Sequence, residues 1–326
     1  MVASEIVPVS SAEEQRQCRV SKQSPSNGEE RLSMRSKRVS RLVESVQEES
    51  IPFLVRKLTL FCKSGSVENV NLVLNRMIEI AGDDTQKVID AVNTPGVNGK
   101  TALHVAAAQG DALVVQRLLS CGANPSIIDA NQFNPVARAA SRGHLVAVVA
   151  ILDFVAEKEA SQLINARDAS GNTALLHAAA HGQEAVFELL YSRGGDISVR
   201  NCMNRNVLHK IVGSNSLSLL KLVRKLASDI SDELAVQLIT DRNQKNETAI
   251  MESAASGKQY AFEFLLSWQR ELAQKLGSSL SSTELVHMLV WAASWEWNSV
   301  FDLLLAFETS DSVSVVQWRG ERGESL

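Results

Sequence analysis

Two histidines, His177 and His181, stand four residues apart in the run H-A-A-A-H. On a helix that interval brings both imidazoles to one face, the arrangement from which zinc is held in H-E-x-x-H proteases. Here alanine replaces the glutamate and no third ligand follows, so the pair reads as surface histidines and no metal is expected. The other reagents of catalysis are as thinly placed. No G-x-S-x-G elbow would raise a serine nucleophile, and neither G-x-x-x-x-G-K-[ST] nor G-x-G-x-x-G would cradle a phosphate. Gly110 and the Gly194-Gly195 pair read as turn glycines instead. Carboxylates are scattered without the pairing that general acid–base work needs. Four cysteines, Cys18, Cys62, Cys121 and Cys202, include no C-x-x-C pair and read as free thiols in a reducing compartment. The residues therefore predict no catalytic centre, no cofactor and a chain that is not an enzyme.

The elements that must carry these residues repeat along the chain. Residues 99–119 read GKTALHVAAAQGDALVVQRLL and residues 171–190 read GNTALLHAAAHGQEAVFELL. Both have Thr-Ala-Leu, an Ala-Ala pair, a glycine nine positions after the threonine and a closing Leu-Leu. The same frame fits segments starting at Asn134, Asn206 and Thr248, with weaker flanking copies at Arg56 and His287. The starts lie 45, 33, 39, 33, 42 and 39 residues apart. Each excess over 33 falls after the Leu-Leu, where extra turns and loops are expected.

Thr101-Ala102-Leu103-His104, with Gly110, Leu118-Leu119 and Gly122-Ala123-Asn124, resembles the ankyrin repeat. The resemblance covers about 50–309 and rests on five clear to moderate copies plus two degenerate flanking ones. It implies an all-α ankyrin-repeat solenoid of about seven helix-turn-helix repeats joined by short hairpin turns. Thr101, Thr173, Thr248, Asn134 and Asn206 fall where the first helix starts, as side-chain caps. Small alanines such as Ala106 and Ala107 let neighbouring repeats approach closely. The hairpin needs a left-handed residue two positions before the Thr: Gly99 and Gly171 suit it, Asn204 and Asn246 substitute, and Gln132 predicts a strained or reshaped loop. The resemblance also implies that His104 and His209 bond from hairpin to hairpin, a network that Leu176 and Ala137 would interrupt. In the first copy, Lys57, Thr59, Lys63 and Ser64 read as a solvated outer cap.

Composition agrees with such a fold. Hydrophobic residues make up 45% of the 326, enough for a sizeable core, and aromatics only 5%, which suits packed helices better than a sheet sandwich. The net charge of -4 gives no reason to expect nucleic acid or an anionic membrane as partner. The start, MVASEIVPVS, lacks the features of a signal peptide, and the longest strictly apolar run, Leu145 to Leu152, is too short for a bilayer. A cytoplasmic or nuclear protein, monomeric by itself, is the expectation. Residues 1–50 read as a mostly disordered tail, 51–309 as the repeat domain and 310–326 as a flexible tail. The basic segment 31–41 is a solvated stretch, an import signal or a docking segment, and Ser40 behind Lys37-Arg38-Val39 resembles a basophilic kinase site.

First helices and hairpins line the groove that solenoids use for binding. In this frame the middle repeats present Arg138, Arg142, His177, His181 and Lys210, with Arg167, Arg200 and Arg205 in the adjoining hairpins and few acids among them. Two readings stay open: a basic stripe for an acidic or phosphorylated protein segment, or ordinary solvated charge. Trp291 and Trp295, four apart, are either groove anchors or core of the last repeat. The expected function is that of an adaptor, scaffold or inhibitor holding another protein. An IκB-like regulator of a transcription factor and a targeting subunit of an enzyme complex are the alternatives.

Overall fold

A computed structural model describes residues 50–276 together with 288 and 290. The tails, Ser40, Trp291, Trp295 and nearly all of the seventh copy lie outside the described residues. Among those described there is no strand, and six helix pairs follow one another. The first pair is α1 (Ile51–Ser64) and α2 (Val67–Ala81), followed by α3 (Thr85–Val92). Then come α4 (Ala102–Gln109) with α5 (Ala112–Ser120), and α6 (Pro135–Ala140) with α7 (Leu145–Leu152), followed by α8 (Glu157–Asn165). Next are α9 (Ala174–Ala180) with α10 (Glu184–Ser192), and α11 (Val207–Ser214) with α12 (Leu217–Ile230), followed by α13 (Asp232–Thr240). The last described pair is α14 (Ala249–Ala255) and α15 (Gln259–Leu276).

The first helices α1, α4, α6, α9, α11 and α14 stack in one row. Alanines permit that spacing: Ala106, Ala107, Ala139, Ala140, Ala178 and Ala179 are all fully buried. Second helices supply bulk behind them through Leu74, Leu118, Leu119, Ile151, Phe187 and Leu190. No repeat could bury both faces alone, so stacking holds the array together. The turn between α4 and α5 needs Gly110: its φ is 83°, and an added Cβ would come 2.4 Å from the His144 ring. In the fifth repeat Asn215 takes the same left-handed conformation at φ 57°.

The residues in excess of 33 are not loops after the first, third and fifth copies but helices α3, α8 and α13. Each buries an apolar edge: Val88, Ala91 and Val92, then Ala160, Leu163 and Ile164, then Ala235, Leu238 and Ile239. Two of these inserts are tied down by the residue that departs from Thr at the start of the first helix. Asn134 accepts from the Ala137 N–H at 2.8 Å and donates through Nδ2 to the Leu163 carbonyl at 2.8 Å. Asn206 accepts from the Leu208 and His209 N–H groups and donates to the Leu238 carbonyl at 2.7 Å. A threonine in either place could cap the helix but lacks the amide NH2 that reaches the insert. The second, fourth and sixth repeats begin with Thr101, Thr173 and Thr248.

Hairpins join the repeats in a continuous series. The Ala130, Ala169, Cys202 and Gln244 N–H groups donate to the carbonyls of Asn98, Asn131, Ser170 and Met203 in the preceding hairpins. Gln132 does not reshape its loop. It keeps φ 60°, and its N–H donates to the Asp129 carbonyl at 2.8 Å, as the Gly171 N–H does to Asp168. Strain is retained in place of rearrangement. At the outer end the solvated-cap reading of Lys57 is overturned: the side chain is buried with its Nζ 4.7 Å from the Phe53 ring centroid. Phe53 and Leu60 are exposed instead.

Two substitutions check this account. Gln132→Gly should stabilise the chain by about 1 kcal/mol in urea titration, by relieving a left-handed glutamine. Asn206→Thr should cost about 1–3 kcal/mol by leaving the buried Leu238 carbonyl without its donor; a neutral result would show that α13 needs no tether.

Candidate functional site

One register organises the polar residues along the groove. Four hairpins open on Asp129, Asp168, Asn201 and Asn243, each buried. The side-chain oxygen of each accepts from the N–H groups two and four residues further on: Asn131 and Phe133, Ser170 and Asn172, Met203 and Arg205, Lys245 and Glu247. Nine residues after each stands a side chain on the following first helix: Arg138, His177, Lys210 and Glu252. Arg138 pairs with Asp129, donating from Nε to Oδ2 at 2.8 Å. His177 donates from Nε2 to Asp168 Oδ2 at 2.7 Å. Glu252 faces Asn243 and pairs with Arg205 at 3.0 Å.

The Phe133 ring is wedged between two of these positions. The Arg138 guanidinium lies 4.0 Å from its centroid, and the His177 ring 4.5 Å on at a 36° tilt. Arg138, Phe133 and His177 thus form a stack that crosses from the third repeat to the fourth. The hairpin acids and Phe133 were not recognised from sequence. Their signal was available as an Asp or Asn five residues before Asn134, Thr173, Asn206 and Thr248.

Three expectations change as a result. His177 is not a surface histidine: it is buried, held by Asp168 and covered by Phe133. Acids are not few, since Asp129, Asp168, Asp241 and Glu252 pair with Arg138, His177, Arg200 and Arg205. The hairpin network is not broken in the middle repeats. His104 donates from Nε2 to the Phe133 carbonyl at 2.9 Å and His209 to that of Glu247 at 3.1 Å; between them Asn172 Oδ1 accepts from Asn201 Nδ2 at 3.0 Å.

What remains outside these pairs is a smaller set of basic residues. Arg142 is exposed and donates to the Ala108 carbonyl, and Arg167 is exposed and donates to that of Arg200. His181 is exposed, with Nδ1 donating to the His177 carbonyl, and Lys210 is half-buried. Among the described residues no group of three potential ligands is placed to hold a metal. His177 hydrogen-bonds no described hydroxyl or thiol, so its Asp168 partner orients a ring without a nucleophile to serve. Burial, with help from Asp111, pushes the Cys62 thiol up to about 12 and leaves it protonated. Elsewhere, a cleft of about 1000 Å³ opens beside α1 and α3, lined by Ile51, Val55, Leu60, Pro95 and Val97 among others. Apolar side chains dominate it, and none of Arg138, His177, Lys210 and Glu252 lines it.

A family model described as ankyrin repeats matches residues 103–201 in three copies. The chain carries ankyrin repeats. Ankyrin repeats bind other proteins and are themselves non-catalytic modules. The chain is similar to a palmitoyltransferase, AKR1, of the yeast Lachancea kluyveri, at 27% identity over 45% of this chain and 23% of that protein. It is also similar to the ankyrin repeat domain-containing protein SAT10 of Stachybotrys chartarum, at 30% identity over 44% of this chain and 9% of that one. A putative ankyrin repeat protein, L371, of Acanthamoeba polyphaga mimivirus matches at 23% identity over 41% of this chain and 18% of its own length. The match therefore spans less than a quarter of each of these relatives. No described helix is long and apolar enough to cross a membrane.

The ankyrin hairpins also set a pH dependence. His104, His177 and His209 lie below the ordinary histidine value, burial being the largest cause, and their hydrogen bonds oppose it without reversing it. Asp129 and Asp168 are raised by burial but lowered more by Arg138, by His177 and by the backbone N–H groups they collect. Below about pH 6.5 the unfolded chain takes up protons that the folded histidines refuse, so stability is full above that value and falls as pH drops through it. Protonation of the two aspartates adds a second loss below about pH 4. Urea unfolding should give a smaller free energy at about pH 5.5 than at 7.5, with each histidine contributing at most about 1.4 kcal/mol per pH unit. An unchanged value would refute the neutral, buried state of these rings.

Proposed function

We propose that this chain is a non-catalytic interaction module that holds an acidic or phosphorylated segment of another protein along the groove of its third to fifth repeats. The observation that supports this most directly is that Arg142, Arg167 and Lys210, with His181 among them, have no carboxylate partner among the described residues, while the neighbouring Arg138, Arg200 and Arg205 are paired with Asp129, Asp241 and Glu252. A surface whose internal pairs are complete and whose remaining charges share one sign favours an oppositely charged partner. The relatives support a binding role as well, because two are named for ankyrin repeats alone. The palmitoyltransferase activity in the third name is not carried over: the chain aligns with 23% of that protein, and no described hydroxyl or thiol is bonded to His177.

The test is fluorescence anisotropy with a labelled acidic peptide and the full chain, comparing wild type with the Arg142→Glu/Arg167→Glu double variant. Both residues are exposed and contact only backbone carbonyls, so the fold should persist. Affinity should drop by at least about tenfold, roughly 1.4 kcal/mol, and should also weaken with added salt. Lys225→Glu, on the opposite side in α12, should leave it unchanged. Equal affinity in the groove variant and the wild type would remove the proposal.

A further inference from the structure

The nine-residue register has one break, at the fifth repeat. In the third and fourth repeats the hairpin residue is an aspartate and the helix residue a donor, so Arg138 forms an ion pair with Asp129 and the His177 ring donates to Asp168. In the sixth the hairpin residue is neutral and the helix residue is Glu252, which finds Arg205. In the fifth the hairpin residue is neutral Asn201 but the helix residue is still a cation, Lys210. Asn201 has nothing to give it. Its Nδ2 donates to Asn172 Oδ1 at 3.0 Å, and its Oδ1 is taken by the N–H groups of Met203 and Arg205. The two nearest acids are also engaged, Asp168 by His177 at 2.7 Å and Glu252 by Arg205 at 3.0 Å. Among the described residues, Lys210 has no carboxylate at ion-pair distance.

Building on the groove reading above, we propose that Lys210 anchors one carboxylate side chain of a bound peptide, which takes the place that Asp129 and Asp168 fill in the neighbouring repeats. The position is half-buried, so a charge–charge contact there is screened less than one on open surface. Burial and Arg205 both hold the Lys210 ammonium below the ordinary lysine range, and the fields of Asp168 and Glu252 only partly offset them. An arriving carboxylate supplies the missing negative charge. The choice of a carboxylate follows the neighbouring repeats, where the hairpin residue facing the helix side chain is the carboxylate of Asp129 or Asp168.

The experiment uses the full chain and a fluorescein-labelled hexaglutamate peptide, with a second peptide carrying phosphoserine at alternate positions. Lys210→Met should weaken hexaglutamate binding by about tenfold, Lys210→Arg should restore most of it, and Asn201→Asp should weaken it comparably by filling the site from within. Thermal melts verify that each variant is folded; if Asn201→Asp does not fold, the Lys210 pair decides. Full affinity in Lys210→Met overturns the anchor. If that result comes with loss in Arg142→Glu, the groove reading survives without Lys210, whereas no binding to wild type removes both. Tighter binding of the phosphoserine peptide, sensitive to Lys210→Met, overturns the choice of carboxylate.

Discussion

A single side-chain oxygen at the head of each hairpin, on Asp129, Asp168, Asn201 or Asn243, accepts two backbone N–H groups and thereby fixes the loop that joins one repeat to the next. Four separate loops consequently share one conformation, and the helix that follows each starts in the same phase. Whatever residue stands nine positions on is delivered to the hairpin of its own repeat. The column of Arg138, His177, Lys210 and Glu252 follows from that constraint. Because the oxygen is buried, a carboxylate there needs a partner on the helix, which Arg138 supplies to Asp129 as an ion pair and His177 to Asp168 as a hydrogen bond.

Much of this was legible before any coordinates. The Thr-Ala-Leu frame, the turn glycines and the closing Leu-Leu recur with enough regularity to place α4 to α7, α9 to α12, α14 and α15 in pairs. Small residues at Ala106, Ala139 and Ala178 announced which helices would stack closely. The left-handed demand at Gln132 was also visible, because a glutamine in a slot otherwise held by Gly or Asn conflicts with local propensity.

The site was less legible, for a reason that lies in how pairing works across a repeat. Arg138 and Asp129 are nine residues apart and sit on different elements, so no helical or strand periodicity connects them. A charge scan of the groove sees Arg138 as free, whereas the fold gives it a buried partner. His177 fails the same way: it is polar, and at helical spacing from His181 it suggests a surface pair, yet Phe133 from the preceding hairpin covers it. The inserted helices escaped notice too. Their apolar residues are few, and the three buried positions in α8 or in α13 resemble a loop that happens to contain leucine. Only the exchange of Thr for Asn at 134 and 206 marked where a carbonyl would arrive to be held.

That exchange has a mechanical result. In the fifth repeat one carboxamide caps the first turn of α11 and grips the end of α13, so the insert and the groove-lining helix cannot fray independently. When either opens, the other loses a buried polar restraint, and the two should breathe together as one cooperative block. A change that loosens the back of this repeat is therefore transmitted to the wall carrying Lys210, although no residue of α13 is among the groove-lining positions.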